Sequence, residues 1–464
     1  MFPDVSAFHR WFAQRLDAEA YRVATVPLHR LEGWSTEPDS GDLVHRSGRF
    51  YSVRGLSVTQ SGRQVENWQQ PIIVQPEHGI LGILVKEFHG IPHCLLQAKM
   101  EPGNVNLVQL SPTVQATKSN YTRVHGGRAV PYLEHFIAPR RGQVLFDALQ
   151  SEQASWFLAK RNRNMIIRTD EDIPVLDGFC WLTFQQIGDL LRVDDLVNMD
   201  TRTVLSGAVA LRPPAGPASD DGFAAALAAS WQPSGRPLHS TTELLSWFTE
   251  IKAGATLTRR LMPLSEVAGW SAGDGVIAHD EGRHFTVLGV SVEAPGREVA
   301  GWSQPMFAPR SQGVIAFLAR RVAGVLHLLV QARTETGALD RIEMGPTVQC
   351  QPADYAASQP GRPELLDQVL TARPDQIRFD VVLSEEGGRF HHARSRYTLV
   401  EVDESAPLRV PRNFAWVTVR QLTDFVRFGS HLNVEARSLL ALIGFLPDDQ
   451  VPAPPSGRLV ASGG

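Results

Sequence analysis

The stretch from Gly48 to Tyr121 recurs from Gly282 to Tyr355 at a constant offset of 234 residues, with 26 of the 74 paired positions identical and no gap. A chain with this property must build one structural unit twice. The 464 residues also exceed what a single hydrophobic core supports, and domains of roughly 100–200 residues are the expected division. Polar positions are copied as faithfully as apolar ones: Trp68-Gln69-Gln70-Pro71 returns as Trp302-Ser303-Gln304-Pro305, and Pro112-Thr113-Val114-Gln115 as Pro346-Thr347-Val348-Gln349. A duplicated core needs only a matching apolar pattern. Retained His, Gln, Glu, Thr and Tyr therefore point to a site once carried by each copy.

The correspondence extends outward. Trp11-Phe12 matches Trp247-Phe248, Gly33-Trp34 matches Gly269-Trp270, and Phe179-Cys180-Trp181-Leu182-Thr183 matches Phe414-Ala415-Trp416-Val417-Thr418. These pairs divide the chain into a first repeat (1–211), a Pro/Gly-rich linker (212–236), a second repeat (237–446) and an irregular tail (447–464). Each copy is expected to begin with a short helix. The segments Phe50–Val53, Ile80–Val85 and His93–Met100 are β-rich and bounded by Gly or Pro, so each copy reads as an α+β unit around an antiparallel or mixed sheet. Apolar residues at helical spacing (Ile187, Leu190, Leu191) place a helix after Thr183, and again after Thr418.

Composition narrows the function. A net charge of −4 gives no electrostatic footprint for nucleic acid. Three cysteines without metal or disulfide spacing favour a reducing compartment, and no signal peptide or apolar run of membrane-spanning length is evident, so the cytoplasm is expected. No GxGxxG after a strand, Walker loop, HExxH, CxxC pair or GxSxG elbow is found. Neither a cofactor nor a metal is expected, which leaves acid/base or electrostatic catalysis by ordinary side chains.

Side chains alternate across a strand, so the run from His93 to Glu101 sets Cys94, Leu96, Ala98 and Met100 against His93, Gln97, Lys99 and Glu101. The second copy repeats the division, with His327, Gln331, Arg333 and Glu335 on the polar side. A solvated strand face gives the same pattern; duplication favours a functional one. A second polar segment carries Asn104, then Thr113, Gln115, Thr117, Lys118, Ser119, Asn120 and Tyr121, with Thr347, Gln349 and Tyr355 as counterparts. It reads either as a ligand-contacting strand or as a turn capped by Thr and Asn. Arg161 and Arg163, kept as Arg394 and Arg396, offer forks suited to phosphate oxygens or simply solvated charge. Trp34 and Trp68, with Trp270 and Trp302 opposite, either stack on a base or sugar or belong to the core.

At these residues the chain resembles the NDP-hexose 2,3-dehydratases. The resemblance is carried by Gln97-Ala98-Lys99-Met100-Glu101-Pro102-Gly103-Asn104, by Gln109 to Thr117, by Ser119-Asn120-Tyr121 and by Val124-His125-Gly126-Gly127, and the tandem arrangement extends it over nearly the whole chain. It implies a Nudix-like fold lacking the glutamate-rich hydrolase box, a homodimer, and removal of water across carbons 2 and 3 of a dTDP-4-keto-6-deoxyhexose. The product would be a 3,4-diketo-2,6-dideoxy sugar nucleotide of antibiotic biosynthesis, passed to a downstream 3-ketoreductase. Such chemistry needs a base at carbon 3, donors for the enolate oxygen at carbon 4 and an acid for the carbon 2 hydroxyl. Glu101 or His93 is expected as base, Lys99 with Gln97 or Gln115 at the keto oxygen, and Tyr121 or His93 as acid. The alternative is a nucleotide-sugar-binding protein without turnover. Because Lys99 becomes Arg333, Asn104 becomes Ala338 and Lys118-Ser119-Asn120 becomes Pro352-Ala353-Asp354, the first copy is expected to be catalytic and the second degenerate.

Overall fold

The computed structural model describes residues 2–18, 21–61, 67–118, 129–140, 143–211, 222–233, 235–295, 299–355, 361–405 and 408–446. The elements follow the local signals. Helices Val5–Ala18 and Thr241–Gly254 open the two repeats, and the latter starts from a capping box in which Ser240 and Glu243 satisfy each other's backbone N–H groups. The helices after Thr183 and Thr418 (Phe184–Leu190 and Val419–Phe425) start from the same device, with Gln186 and Gln421 as the reciprocal partners.

Each repeat builds a seven-stranded mixed sheet. In the first, the order is Val144–Ser151, Arg161–Arg168, Gly79–Phe88, Ile91–Met100 and Phe179–Thr183, with Val108–Pro112 and Val114–Ala116 attached at one end. Only the pairing of Arg161–Arg168 with Gly79–Phe88 is parallel. The second repeat has the same plan, with Gly313–Val322 parallel to Arg394–Glu401. The protein is thus α+β with two similar halves. Both faces of the first sheet are covered: Leu84, Leu95 and Trp181 lie on one side with Phe136, and Cys94, Leu96 and Leu182 on the other in the large core shared by both repeats.

Two five-stranded antiparallel sheets join the repeats by exchange. Strand Arg22–Val26 of the first repeat pairs with Phe285–Glu293 of the second, and strand Thr256–Met262 of the second pairs with Ser52–Ser61 of the first. Backbone ladders carry no address of their own, so nothing in either strand's sequence announces this crossing. Helices Met199–Ala208 and Val434–Gly444 pack against each other along the centre, and every residue of both is buried. Their buried arginines tie the halves together: Arg202 donates to the carbonyl of Ser384 at 2.8 Å, and Arg437 to the carbonyl of Ser151.

The structure narrows the linker expected over 212–236. Residues 222–231 form an Ala-rich helix, Gly222–Trp231, whose Phe223 and Ala226 are buried against the second repeat. The proline- and glycine-rich part of that span and the tail 447–464 lie outside the described residues.

Candidate active site

The strand Ile91–Met100 ends at Glu101, and there the polar side chains converge on a cavity of about 460 Å³. Its walls include Lys99, Glu101, Gln115 and Thr117 from the expected polar segments, and Trp34 and Trp302. It is also lined by residues that the sequence reading passed over: Tyr51, Glu152, Lys160, Asn162 and Asp200 of the first repeat, and Glu386 and Arg389 of the second.

Glu101 is held by amides. Gln115 donates to its Oε1 at 2.6 Å and Asn198 to its Oε2 at 3.2 Å. Asn198 also contacts Ser111 Oγ at 2.9 Å, while its own Oδ1 caps the helix Met199–Ala208 by accepting from Thr201 N at 2.9 Å. Lys99 Nζ donates to the Gln115 carbonyl at 2.8 Å. Glu152 accepts from Asn162 at 2.7 Å, Asn162 in turn holds Gly79 N at 2.9 Å, and Lys160 Nζ donates to the Glu77 carbonyl.

Five carboxyl groups line the cavity, and the four other than exposed Glu32 cannot all be ionised cheaply. Burial first, then the charges of Glu152, Glu101 and Glu386, raise the Asp200 pKa well above the carboxylate range. Burial pushes Glu386 up to about 8, with Glu101 and Glu152 adding to the rise and Arg389 opposing it. Glu152 is raised chiefly by burial, and burial lowers the pKa of Lys160. Among the described residues, Oδ1 of Asp200 and Oε2 of both Glu152 and Glu386 are buried without a hydrogen-bond partner. On one side of the cavity, next to Gly79, the pKa of His78 is lowered first by burial and then by Arg161, Lys160 and Lys118. These three cations therefore cluster there.

Several expected site residues stand elsewhere. His93 lies six residues from Lys99, about 20 Å along an extended strand; its Nδ1 meets the Ile91 carbonyl at 2.8 Å and its ring packs on Phe88. Its counterpart His327 is fully buried between the Val325 carbonyl and the Leu238 N–H, and burial lowers its pKa. Gln97 donates to the carbonyls of Pro112 and Thr113. The Thr113 hydroxyl bridges two strands, accepting from Leu84 N at 2.9 Å and donating to the Leu95 carbonyl, and Thr347 repeats this between Leu318 and Leu329. The row from His93 to Glu101 is accordingly not one continuous functional face, because Leu95 within it is core. Asn104 is buried against Gly387, Arg163 is paired with Asp147 as Arg396 is with Asp380, and Arg394 is paired with Asp195. Trp68 bonds Gln70 and packs in a separate cluster. Trp34 instead reaches across the repeats to the Ser303 carbonyl at 2.7 Å, as Trp270 does to that of Gln69 at 3.1 Å. Ser119, Asn120 and Tyr121 lie outside the described residues.

The second repeat retains the amide frame without the same charge. Asn433 caps its helix and donates to Gln349 at 2.7 Å, and Gln349 reaches Glu335 at 3.3 Å. There, however, Arg333 forms an ion pair with Glu335 at 2.7 Å. Gln331 keeps the register position of Gln97, opposite Gly345 and Phe414, and burial raises the pKa of Tyr355.

Asn198, Glu152 and Lys160 had detectable signals: the first two recur as Asn433 and Glu385, and the third is replaced by Ala393, a contrast of the same kind as Lys99 with Arg333. Glu386 and Arg389 differ from their counterparts Gln153 and Trp156, but only tertiary structure brings the second repeat to this cavity.

Comparison with known proteins agrees with this frame. The NDP-hexose 2,3-dehydratase family model matches residues 5–208 and 241–443. The chain is 52% identical over 448 residues, 96% of its length and 98% of the relative's, to a protein of Streptomyces violaceoruber named dTDP-4-dehydro-6-deoxy-alpha-D-glucopyranose 2,3-dehydratase. Proteins of the same name from Saccharopolyspora spinosa and Amycolatopsis orientalis are 49% identical over 438 residues (94% of this chain, 90% of the relative) and 46% identical over 439 residues (93% and 88%). With two family matches coinciding with the two structural repeats, the chain belongs to the NDP-hexose 2,3-dehydratase family.

Proposed function

We propose that this protein is a hydro-lyase that removes water across carbons 2 and 3 of dTDP-4-keto-6-deoxyglucose, the activity its three relatives are named for, and that the first repeat's cavity is where it does so. The carrying observation is the pairing of opposite carboxyl environments: Glu101 receives two amide donors, whereas Asp200 is buried among other carboxylates. Two carboxyl groups lining one cavity are what paired base and acid roles require.

In this reading the Glu101 carboxylate takes the proton from carbon 3, which the carbon 4 ketone acidifies. Lys99 Nζ stabilises the oxyanion that develops on that ketone. The electron pair then forms the C2–C3 double bond as the C2–O bond breaks, and protonated Asp200 delivers its proton to the departing hydroxyl, which leaves as water. The resulting enol at carbon 3 tautomerises to the 3,4-diketone. Atoms and electrons balance without an external oxidant or reductant. The cation cluster of Arg161, Lys160 and Lys118 favours the phosphate end of the ligand on that side, and Trp34 and Trp302 offer apolar faces to its rings.

The proposal extends to a homodimer, a Nudix-like ancestry, a cytoplasmic location, a role in antibiotic biosynthesis and a downstream ketoreductase that consumes the reactive diketone. The mixed sheet in each repeat supports the ancestry, exposed Phe428 and its counterpart Val193 favour self-association, and three free thiols, two of them buried, favour a reducing compartment. The second repeat, whose Glu335 is neutralised by Arg333, carries no turnover of its own.

The test uses dTDP-4-keto-6-deoxyglucose in deuterated buffer. Glu101→Gln should lower both water loss and deuterium entry at carbon 3 by about 10²–10⁴-fold. Asp200→Asn should lower water loss while leaving exchange at carbon 3 measurable. Near-normal turnover by Glu101→Gln would remove the mechanism.

A further inference from the structure

The loops that follow the equivalent strands Val144–Ser151 and Ile377–Ser384 are not equivalent in charge. At matching positions the first repeat's loop reads Glu152-Gln153-Ala154-Ser155-Trp156-Phe157 and the second's Glu385-Glu386-Gly387-Gly388-Arg389-Phe390. Each loop is carried into the other repeat. Ala159 N bonds the Gly337 carbonyl at 2.7 Å, and Ser155 Oγ meets Glu335 in the second repeat at 3.3 Å. In return, Gly103 N bonds the Gly387 carbonyl at 2.8 Å and His392 N the Gly103 carbonyl at 2.7 Å. The extra Glu and Arg thus occur only in the loop that reaches the first repeat's cavity, and both line it.

Arg389 acts electrostatically on Glu386 but forms no ion pair at contact distance among the described residues. Its guanidinium lies over the Tyr51 ring, 4.3 Å from the centroid, with Nη1 spent on the Gly388 carbonyl at 2.8 Å. Nε is buried with no hydrogen-bond partner, and among the described residues no carboxylate lies within ion-pair distance of it. The half-buried guanidinium lines the cavity, and its planar donors match a phosphate oxygen placed there. Tyr51 is itself fixed across the repeats by its bond to the Pro305 carbonyl, at 2.5 Å, so the cation rests on a rigid platform.

We infer that the second repeat completes the first repeat's active site, with Arg389 holding the diphosphate of the sugar nucleotide. This rests on the reading given under Proposed function. It also supplies a reason for keeping a repeat that has lost its own lysine: the loop 385–390 needs the second sheet to hold it.

Calorimetric titration of the full chain with dTDP and, separately, with thymidine tests the assignment. Arg389→Met should raise the Kd for dTDP at least tenfold and leave that for thymidine within twofold, with an unchanged melting temperature; Arg389→Lys should fall between. If Arg389→Met binds dTDP within twofold of wild type, the assignment is overturned while the proposed function stands. Equal weakening of both ligands also overturns it, since the loss is then not of a phosphate contact. Wild-type protein that ignores dTDP overturns both readings.

Discussion

Asn198 does two jobs with one side chain, capping the central helix through Oδ1 and holding Glu101 and Ser111 through Nδ2, and Asn433 repeats the arrangement. Retention of polar residues between the repeats therefore mixes two causes. Thr113 and Thr347, His93 and His327, and Gln97 owe theirs to hydrogen bonds with backbone groups, whereas Glu101, Gln115 and Lys99 line the cavity. Alternation along a strand could not separate these, since Leu95 occupies the same face as Lys99. The carboxyl cluster gives a pH prediction. A carboxyl whose pKa is raised in the folded state adds stability that is complete below its ordinary value and is lost as pH rises through the raised one. For Glu386 that window runs from about 4.5 to about 8. Buried histidines such as His391, lowered to about 4, act in the opposite sense, but only below their ordinary value of 6.5. The melting temperature should therefore fall between pH 6.5 and 8, and Glu386→Gln should flatten that fall. A wild-type profile that rises over this interval, or a variant with the same slope, would contradict the assignment.

At the scale of elements, the close approach of the loop 101–104 to the loop 385–390 decides the site. A Cβ on Gly103 would sit 1.8 Å from the Phe390 carbonyl oxygen and 2.7 Å from that of Gly387, both backbone atoms that cannot rotate aside. Gly103→Ala should force the loops apart. We expect a loss of about 1–3 kcal/mol in urea unfolding and at least a tenfold fall in kcat/KM, because Glu101 and Arg389 flank the same contact. Gly254→Ala, whose Cβ meets nothing within 4 Å, is the control and should lower neither. The helices that open each repeat and follow Thr183 and Thr418, and the strands Gly79–Phe88 and Ile91–Met100, were legible from apolar spacing and turn residues, whereas the helix Gly222–Trp231 was not. The loop contact was not, since Gly103 reads in sequence as an ordinary turn residue.

For the whole molecule, strand exchange makes the repeats interdependent. The first sheet system borrows Thr256–Met262 and lends Arg22–Val26, and the central helices bury each other completely. Residues 1–211 expressed alone should fail to give a folded species by circular dichroism and size-exclusion chromatography, as should 222–446. Expressed together, the two pieces should assemble and recover dTDP binding. A stable, monodisperse first repeat on its own would show that the exchange is dispensable. The sequence alone determined the duplication, the α+β character of each unit, the family and the cavity-lining segment around Lys99 and Glu101, because periodicity and a retained motif are local properties. Only the tertiary structure decided which repeat's strand completes which sheet, and that Glu386 and Arg389 stand beside Glu101 nearly 300 residues away. Ladder pairing and loop packing join backbone to backbone, and backbone groups are the same at every residue.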